Sequence, residues 1–407
     1  MRYLIIGNSA AGVAAASALR EADEAGDITV ATDEPYPYYA RVLTSYYLGG
    51  LVGRGRLWLA KEDWYHRWRI QLITGHRVTS VDASRSLAVL DCGVELTYDR
   101  LLVATGASPQ AISLPGGALK GVFTLRTLDD AIAIRAQARP GGRAVVIGGG
   151  PVGIKAAEGL HARGLKVSLV VSSGRLFSQG LDDPGAELLR RVLTAAGFTV
   201  HLRDDVVGLE GRGRVVAAVL RSGATIPADV VVVGKGVRPN VGFLRGSGVE
   251  VRQGIVVDDY LATSDPRVYA AGDVVEAYDR AWQQRRINPI WGNAVEQGRL
   301  AGLNMSGHRA AYRGSIGQNS MVCHGLGVIS GGVVNPPSED YRAAAHLDRE
   351  RFYYRKAVLQ GGRLVGAVAI GPPQGVGDFL SLIGRESREE YVTSFLDGSF
   401  SHVMVGR

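Results

Sequence analysis

One pattern occurs twice and constrains the rest: a short apolar run, a glycine-rich turn, then an alanine-rich helix. Residues 3–12 read YLIIGNSAAG, and residues 144–153 read AVVIGGGPVG. An apolar run of this length, closed by glycine and followed by helix formers, is a buried strand turning tightly into a helix. The helices are expected over about residues 12–24 and 152–163, each stopping near a glycine. Two such units predict two open, mainly parallel α/β domains. At 407 residues, the chain also has room for a third domain, since a domain takes roughly 150 residues.

A glycine turn at a helix N-terminus is an anion site, because backbone N–H groups point outward and no side chain blocks a pyrophosphate. Gly148, Gly150 and Gly153 complete a G-x-G-x-x-G after a strand, with Pro151 and Val152 inside it. In the first unit Gly7 and Gly12 hold the outer positions, Ser9 takes the middle one, and Ala10 and Ala11 follow. Ser9 is small enough to preserve close approach, and its hydroxyl can contact phosphate. A ribose-binding acid belongs about 20 residues further on, at the end of the second strand. Asp33 and Glu34 stand there after the first turn, and Glu34 is the stronger candidate. After the second turn, the strand over residues 166–171 runs into Val171-Ser172-Ser173-Gly174-Arg175. No carboxylate is present to discriminate for NAD. Ser172, Ser173 and Arg175 suit either a 2′-phosphate or loose selectivity, so NAD(H) and NADP(H) both stay open.

The remaining segments sort around these units. Strands are expected at residues 27–32, 71–74, 86–91 and 101–104, with a helix at 61–69 and a crossover over 108–117. The strand at 254–257 and the segment at 268–276 read as a return to the first domain, which otherwise lacks a final strand. From about Ala310, β-branched runs and hairpins predominate, notably residues 352–359 and 364–370, and an amphipathic helical tail is expected over 378–397. The expected class is therefore α/β: two Rossmann-like dinucleotide domains plus a C-terminal α+β domain. The boundaries are residues 1–115 with 240–308, then 116–239, then 309–407.

Several classes are disfavoured. The net charge of +7 comes from scattered arginines rather than a basic block with interleaved aromatics, so no nucleic acid is expected. The cluster RAWQQRR at residues 280–286 is the best basic patch for an acidic partner. The two cysteines, Cys92 and Cys323, suggest neither a disulfide framework nor a zinc site, and no metal is expected. No apolar run reaches the roughly 20 residues of a membrane span. The N-terminus runs straight into a strand without a leader pattern, and a cytoplasmic location is expected.

In order along the chain stand GNSAAG at Gly7, DEPYPYYAR at Asp33, LLVATGASP at Leu101, VVIGGGPVG at Val145, GKGVRPN at Gly234, YAAGDV at Tyr269 and WGNAVEQGR at Trp291. This series resembles the pyridine nucleotide-disulfide oxidoreductase class of two-dinucleotide flavoproteins, especially its rubredoxin reductase-like and ferredoxin reductase-like branch. The resemblance implies FAD on the first unit and NAD(P)(H) on the second. It implies that Glu34 binds the adenosine ribose of FAD, that Arg41 lines the flavin, and that the backbone of Val78 contacts adenine. Ala104, Thr105 and Gly106 would lie against the cofactor at the crossover, with Gly236 in the matching turn of the second domain. Asp273 would hydrogen-bond the ribityl and pyrophosphate region, while Trp291 to Ala294, including Asn293, would begin a helix facing the flavin pyrimidine edge.

Two departures shape the expected chemistry. Disulfide-reducing members carry redox cysteines shortly after the FAD acid, but residues 41–50 (RVLTSYYLGG) contain none. A thiolate relay is thus ruled out, and Cys92 and Cys323 are expected to be buried packing residues. Lys155 stands where relatives commonly carry Glu; its expected partners are the flavin N5, the nicotinamide or Glu296, and a positive charge there favours reduced flavin. Lys155 and Arg41 are the candidate catalytic residues. The reading is an FAD-dependent NAD(P)H oxidoreductase exchanging electrons with rubredoxin, ferredoxin or an iron–sulfur subunit, as a homo-oligomer or within a hetero-complex. An NAD(P)H oxidase or diaphorase and an apoptosis-inducing-factor-like interaction protein are the alternatives.

Overall fold

The computed structural model describes residues 1–110 and 112–401. Ala111 in the expected crossover and the last six residues of the expected C-terminal domain lie outside the described residues. The chain divides into two compact units: Met1–Ala40, Trp58–Ser108 and Val237–Gly317 form the first; Arg41–Leu57, Pro109–Gly236 and Gln318–Arg407 form the second.

In the first unit, strand Arg2–Ile6 is central to a five-stranded parallel sheet. Asp27–Ala31 and then Ile70–Ile73 lie on one side; Arg100–Val103 and then Val268–Ala270 lie on the other. The central strands are apolar almost throughout because both faces are covered. The segment returning from residue 268 supplies the missing edge, pairing Val268 with Leu101 and Ala270 with Val103. The first nucleotide helix spans Ala10–Ala22, so the turn residues Ala10 and Ala11 already belong to it. It packs on helix Trp291–Met305 through glycine: a Cβ on Gly298 would stand 2.1 Å from the Ala11 carbonyl oxygen, and one on Gly302 2.6 Å from that of Ala15. The helix expected over 61–69 is shorter, Glu62–Arg67, because Arg69 takes a left-handed φ of 49°.

In the second unit, strand Arg143–Ile147 is central to another five-stranded parallel sheet. Lys166–Val171 and Thr199–Leu202 flank one side, and Val230–Val233 and Val122–Thr124 the other. The second nucleotide helix spans Pro151–Ala162, with Pro151 at the first helical position, where its missing N–H costs nothing. The short helix Thr44–Gly49 belongs to this unit, since Gly159 leaves room for the Ser45 carbonyl 2.8 Å from its absent Cβ.

From Gln318 an antiparallel five-stranded sheet follows, including the hairpin Tyr353–Gln360 and Arg363–Ile370. Gly361 and Gly362, at φ 56° and 78°, form its two-residue turn. The single helix expected over 378–397 is instead two, Val376–Ser381 and Glu389–Asp397, separated at Gly384 with φ 94°. This sheet shares a core with the parallel one: Val328, Val368 and Ile370 cluster with Leu169, Leu181 and Leu189. A polar clasp joins them. The Asp182 carboxylate caps helix Asp183–Ala195 through Gly185 N–H, and accepts from Tyr354 Oη at 2.6 Å and Lys356 Nζ at 2.7 Å.

The Asp182 and Lys356 side chains are 15% and 10% exposed, so removing one partner strands the other's charge. Asp182→Ala is expected to cost about 3–5 kcal/mol in denaturant unfolding. Tyr354→Phe, which removes a single hydrogen bond, should cost only about 1 kcal/mol.

Candidate functional site

The two glycine turns reach the same backbone solution. Gly7 has φ 119°, and its Cβ would lie 2.2 Å from the carbonyl oxygen of Ala104, the residue after strand Arg100–Val103. Gly148 has φ 116°, and its Cβ would lie 2.3 Å from the carbonyl oxygen of Gly234, the residue after strand Val230–Val233. At Gly12 and Gly153 a Cβ would stand 1.8 and 2.2 Å from the carbonyl oxygens of Gly7 and Gly148. These four glycines are therefore required by the fold itself. Gly150 differs: it caps its helix with an ordinary φ of −79°, and nothing lies within 4 Å of its Cβ position. Beside it Val152 is 49% exposed in the helix's first turn. The fold leaves backbone N–H groups and open space at this helix start, which fits a pyrophosphate. Ser9 occupies the Gly150 position of the first turn; its side chain makes no capping hydrogen bond to the helix.

The first unit brings most of the expected FAD residues to the carboxyl ends of its strands. Asp33 is committed to Arg77 at 2.9 Å, whereas Glu34 is oriented by Tyr39 Oη, which donates to Oε2 at 2.6 Å. Thr105 and Asn240 are doubly bonded: Thr105 Oγ1 donates to the Asn240 carbonyl and Asn240 Nδ2 to the Thr105 carbonyl, both at 2.9 Å. Gly106 follows with φ 65°, and its carbonyl accepts from Asn240 N–H. Val78 is buried at the start of strand Val78–Asp82. Gly272, at φ 86°, presents Asp273, and Trp291 stacks on Tyr38 with ring centroids 6.0 Å apart. Burial pushes the Tyr38 phenol up to about 12. Asn293 donates to the Ile316 carbonyl at 3.1 Å, an anchor for its own helix. Arg41 opens the short turn Arg41–Leu43 in the second unit.

At the second turn, Ser172 to Arg175 form a loop after strand Lys166–Val171. Ser173 Oγ donates to the Arg175 carbonyl at 2.8 Å, and the Arg175 guanidinium pairs with Asp183 at 2.8 Å. Arg203 passes closer to this loop: its N–H donates to the Ser173 carbonyl, and its Nε is 3.2 Å from the Cβ position of Gly174. Gly236, at φ 92°, accepts from Gln110 N–H.

Lys155 is held by partners within its own unit. Its Nζ donates to Glu158 Oε2 at 2.6 Å and to the Val322 carbonyl at 3.0 Å, and it stands 4.7 Å from the Tyr46 ring centroid. Burial lowers its affinity for the proton, but the hydrogen bond and charge of Glu158, helped by Tyr46, outweigh this and hold the ammonium above its ordinary value of 10.5. Glu158 also accepts from His324 N–H at 3.1 Å. Cys323 lies beside this pair, and burial, reinforced by Glu158, pushes its thiol far up, which leaves it protonated and inert. Cys92, expected to be buried, is exposed instead, because the turn containing Gly93 at φ 84° carries it outward.

Some site-shaping residues carry no sequence signal of their own. Gln297 is buried in helix Trp291–Met305, where its Oε1 accepts from Gly272 N–H at 2.8 Å and its Nε2 donates to Tyr312 Oη at 2.9 Å. It fixes the turn that presents Asp273. Tyr65 Oη donates to Asn8 Oδ1 at 2.7 Å and so ties down the first glycine turn. Only the motif order, through WGNAVEQGR, pointed to Gln297. Of the basic patch, Arg285 donates to the Val257 carbonyl and Arg286 covers Trp282, so two of its arginines are engaged locally. No helix among the described residues is long and apolar enough to cross a membrane.

Residues 1–298 match the family described as pyridine nucleotide-disulphide oxidoreductase, and residues 319–387 match the rubredoxin NAD+ reductase C-terminal domain. The chain is 33% identical to the nitrite reductase [NAD(P)H] of Bacillus subtilis (strain 168), over 95% of this chain and 47% of that protein. It is 33% identical to the NADH-dependent phenylglyoxylate dehydrogenase subunit epsilon of Aromatoleum evansii, over 91% and 88% of the two chains. Among solved structures, the ferredoxin reductase for the CYP199A2 system of Rhodopseudomonas palustris superimposes with a TM-score of 0.90 at 26% identity, covering 100% of both chains. The chain spans about half the length of the Bacillus relatives it matches.

The glycines separate by role. Gly150→Val is expected to leave the thermal midpoint nearly unchanged while weakening NADH binding about tenfold or more by calorimetry, a loss of about 1.4 kcal/mol. Gly153→Val should fail earlier, as loss of folded protein. For Lys155, a folded-state value above 10.5 means that the native state holds the proton more tightly, so its stabilisation is complete below 10.5 and is lost as pH rises through the raised value. Lys155→Met is expected to cost about 1–3 kcal/mol. The difference from wild type in denaturant midpoint should stay flat at neutral pH and shrink only in strong alkali.

Proposed function

Because the chain belongs to the pyridine nucleotide-disulphide oxidoreductase family, we propose that it is an FAD-dependent NAD(P)H oxidoreductase that exchanges electrons with a protein carrier. The carrier classes are rubredoxin, ferredoxin or an iron–sulfur subunit of a larger redox complex. The carrying observation is the pair of backbone cradles at Gly7–Gly12 and Gly148–Gly153, where a Cβ on any of these four glycines would run into a backbone carbonyl oxygen. FAD, when bound, accepts two electrons as hydride and can release them singly, which matches a one-electron carrier.

The chain's own residues supply binding and orientation. Glu34, aligned by Tyr39, accepts from the adenosine ribose at the first turn. Gln297 holds the turn that directs Asp273 toward the ribityl and pyrophosphate region. At the second turn the exposed helix start at Gly150 takes the nicotinamide dinucleotide. Since residues 171–175 carry no acid, NADH and NADPH are both accepted. Thiol chemistry has no suitable residue here: residues 41–50 lack cysteine and Cys323 is buried and protonated. The C-terminal match to a rubredoxin reductase domain and the ferredoxin reductase neighbour support a protein acceptor, while the subunit epsilon relative supports action within a complex. An unpaired, exposed Cys92 fits a reducing compartment such as the cytoplasm.

Anaerobic stopped-flow spectroscopy tests this reading. The yellow protein should bleach on mixing with NADH or NADPH. It should then reoxidise about tenfold or more faster with reducible rubredoxin or ferredoxin than with air-saturated buffer. Fast reoxidation by air alone would make it an oxidase. A change of oligomeric state with no turnover would make it an interaction protein, and absence of bleaching would overturn the proposal.

A further inference from the structure

The hairpin that follows the first dinucleotide-binding strands gathers three metal-ligating side chains. His76 lies two residues before strand Val78–Asp82, and Asp91 and Cys92 form the turn after strand Leu87–Leu90. Val78 is paired with Leu90 in register, which brings these residues to the same end of the small sheet. One ligand atom from each of His76, Asp91 and Cys92 lies within 4.8 Å of the others. His76 Nδ1 and Asp91 Oδ1 are 3.1 Å apart.

Two of the three groups are held in place. Asp91 Oδ2 accepts from Arg77 N–H at 3.2 Å, and Asp91 N–H donates to the Arg77 carbonyl at 2.8 Å, so Oδ1 is turned toward the imidazole. His76 N–H donates to the Thr32 carbonyl at 3.1 Å. The nearby cation does not satisfy Asp91, because the Arg77 guanidinium is paired with Asp33. One carboxylate, one imidazole and one thiol thus converge at the surface without a guanidinium among them.

We propose that His76, Asp91 and Cys92 form a zinc-binding site. Zinc takes sulfur, nitrogen and carboxylate oxygen at about 2.0–2.3 Å in a tetrahedron, so its ligand atoms stand roughly 3.3–3.7 Å from one another. The His76–Asp91 spacing of 3.1 Å need widen by only a few tenths of an ångström, with the metal displacing the hydrogen-bonded proton between Nδ1 and Oδ1 to solvent. Cys92, on an exposed turn, closes the remaining gap by a shift of about 1 Å. Binding forms the Zn–S bond with release of the thiol proton to solvent, and water completes the fourth position. Because Gly75 N–H donates to the Glu34 carbonyl and Arg77 pairs with Asp33, the bound metal clamps the segment that supports the expected ribose acid. The proposal rests on this geometry alone and stands apart from the flavin reading.

Cobalt(II) titration of the untagged holoenzyme, after EDTA treatment and dialysis, provides the test. The long-wavelength bands of tetrahedral cobalt lie beyond flavin absorption. One equivalent should give an intense, saturable tetrahedral spectrum that zinc displaces. Cys92→Ser should remove the sulfur-to-cobalt charge-transfer band, and Asp91→Asn should weaken binding tenfold or more, since even outer-shell losses cost about 10–100-fold. Both sites are exposed, and unchanged circular dichroism would show that the variants fold. A weak octahedral spectrum in the wild type, or one unaltered in Cys92→Ser, would overturn the site.

Discussion

The close passage of a glycine backbone over the carbonyl that ends a neighbouring strand is the contact on which both nucleotide units depend. In each unit the oxygen of the residue after a strand flanking the central one, Ala104 after Arg100–Val103 or Gly234 after Val230–Val233, occupies space that a Cβ on the first turn glycine would need. Neither oxygen is on a flexible side chain, so relief would require moving a whole strand. The second contact, Gly12 on Gly7 or Gly153 on Gly148, seats the helix against the turn. Strand pairing, helix start and the outward N–H groups are thereby set by one geometric solution used twice. A pyrophosphate site is a direct product of that packing.

Given closely similar turn backbones, the two sites differ in the charge placed beyond them. At the first strand end a carboxylate is presented by a phenol, while the neighbouring Asp33 is consumed by Arg77. At the second, the corresponding loop offers hydroxyls and Arg203, with Arg175 neutralised by Asp183. An acid rewards two ribose hydroxyls, whereas hydroxyls and a guanidinium tolerate a phosphate. The two turns thus differ in the charge offered beyond them while sharing one backbone arrangement.

The glycine turns, the parallel order of strands and the returning edge strand were legible because they rest on backbone requirements that restrict residue type locally. Long-range side-chain partners were not. Lys155 was expected to meet the flavin N5, the nicotinamide or Glu296, and the partners the structure gives it, Glu158 three residues along the same helix and Val322 on a distant strand, were not among them. Cys92 was expected to be a buried packing residue, but the turn with a left-handed glycine at Gly93 carries it out to solvent. The single helical tail failed for a related reason: its amphipathic period continues through Gly384, while the backbone there does not. His76 and Asp91 are 15 positions apart and meet only through strand register.

Glu158 explains why the C-terminal sheet matters to the second nucleotide helix. It receives Lys155 from its own helix and the His324 N–H from the turn after strand Gln318–Cys323, whose Val322 carbonyl completes the lysine's coordination. A charge in the helix's second turn is therefore positioned by a sheet more than 150 residues away in sequence. Asp182 makes the complementary link, joining the cap of helix Asp183–Ala195 to Tyr354 and Lys356. With both helices fastened to it, the antiparallel sheet is part of the nucleotide unit's framework. The Lys155 ammonium is then held by packed partners rather than left as a mobile surface charge.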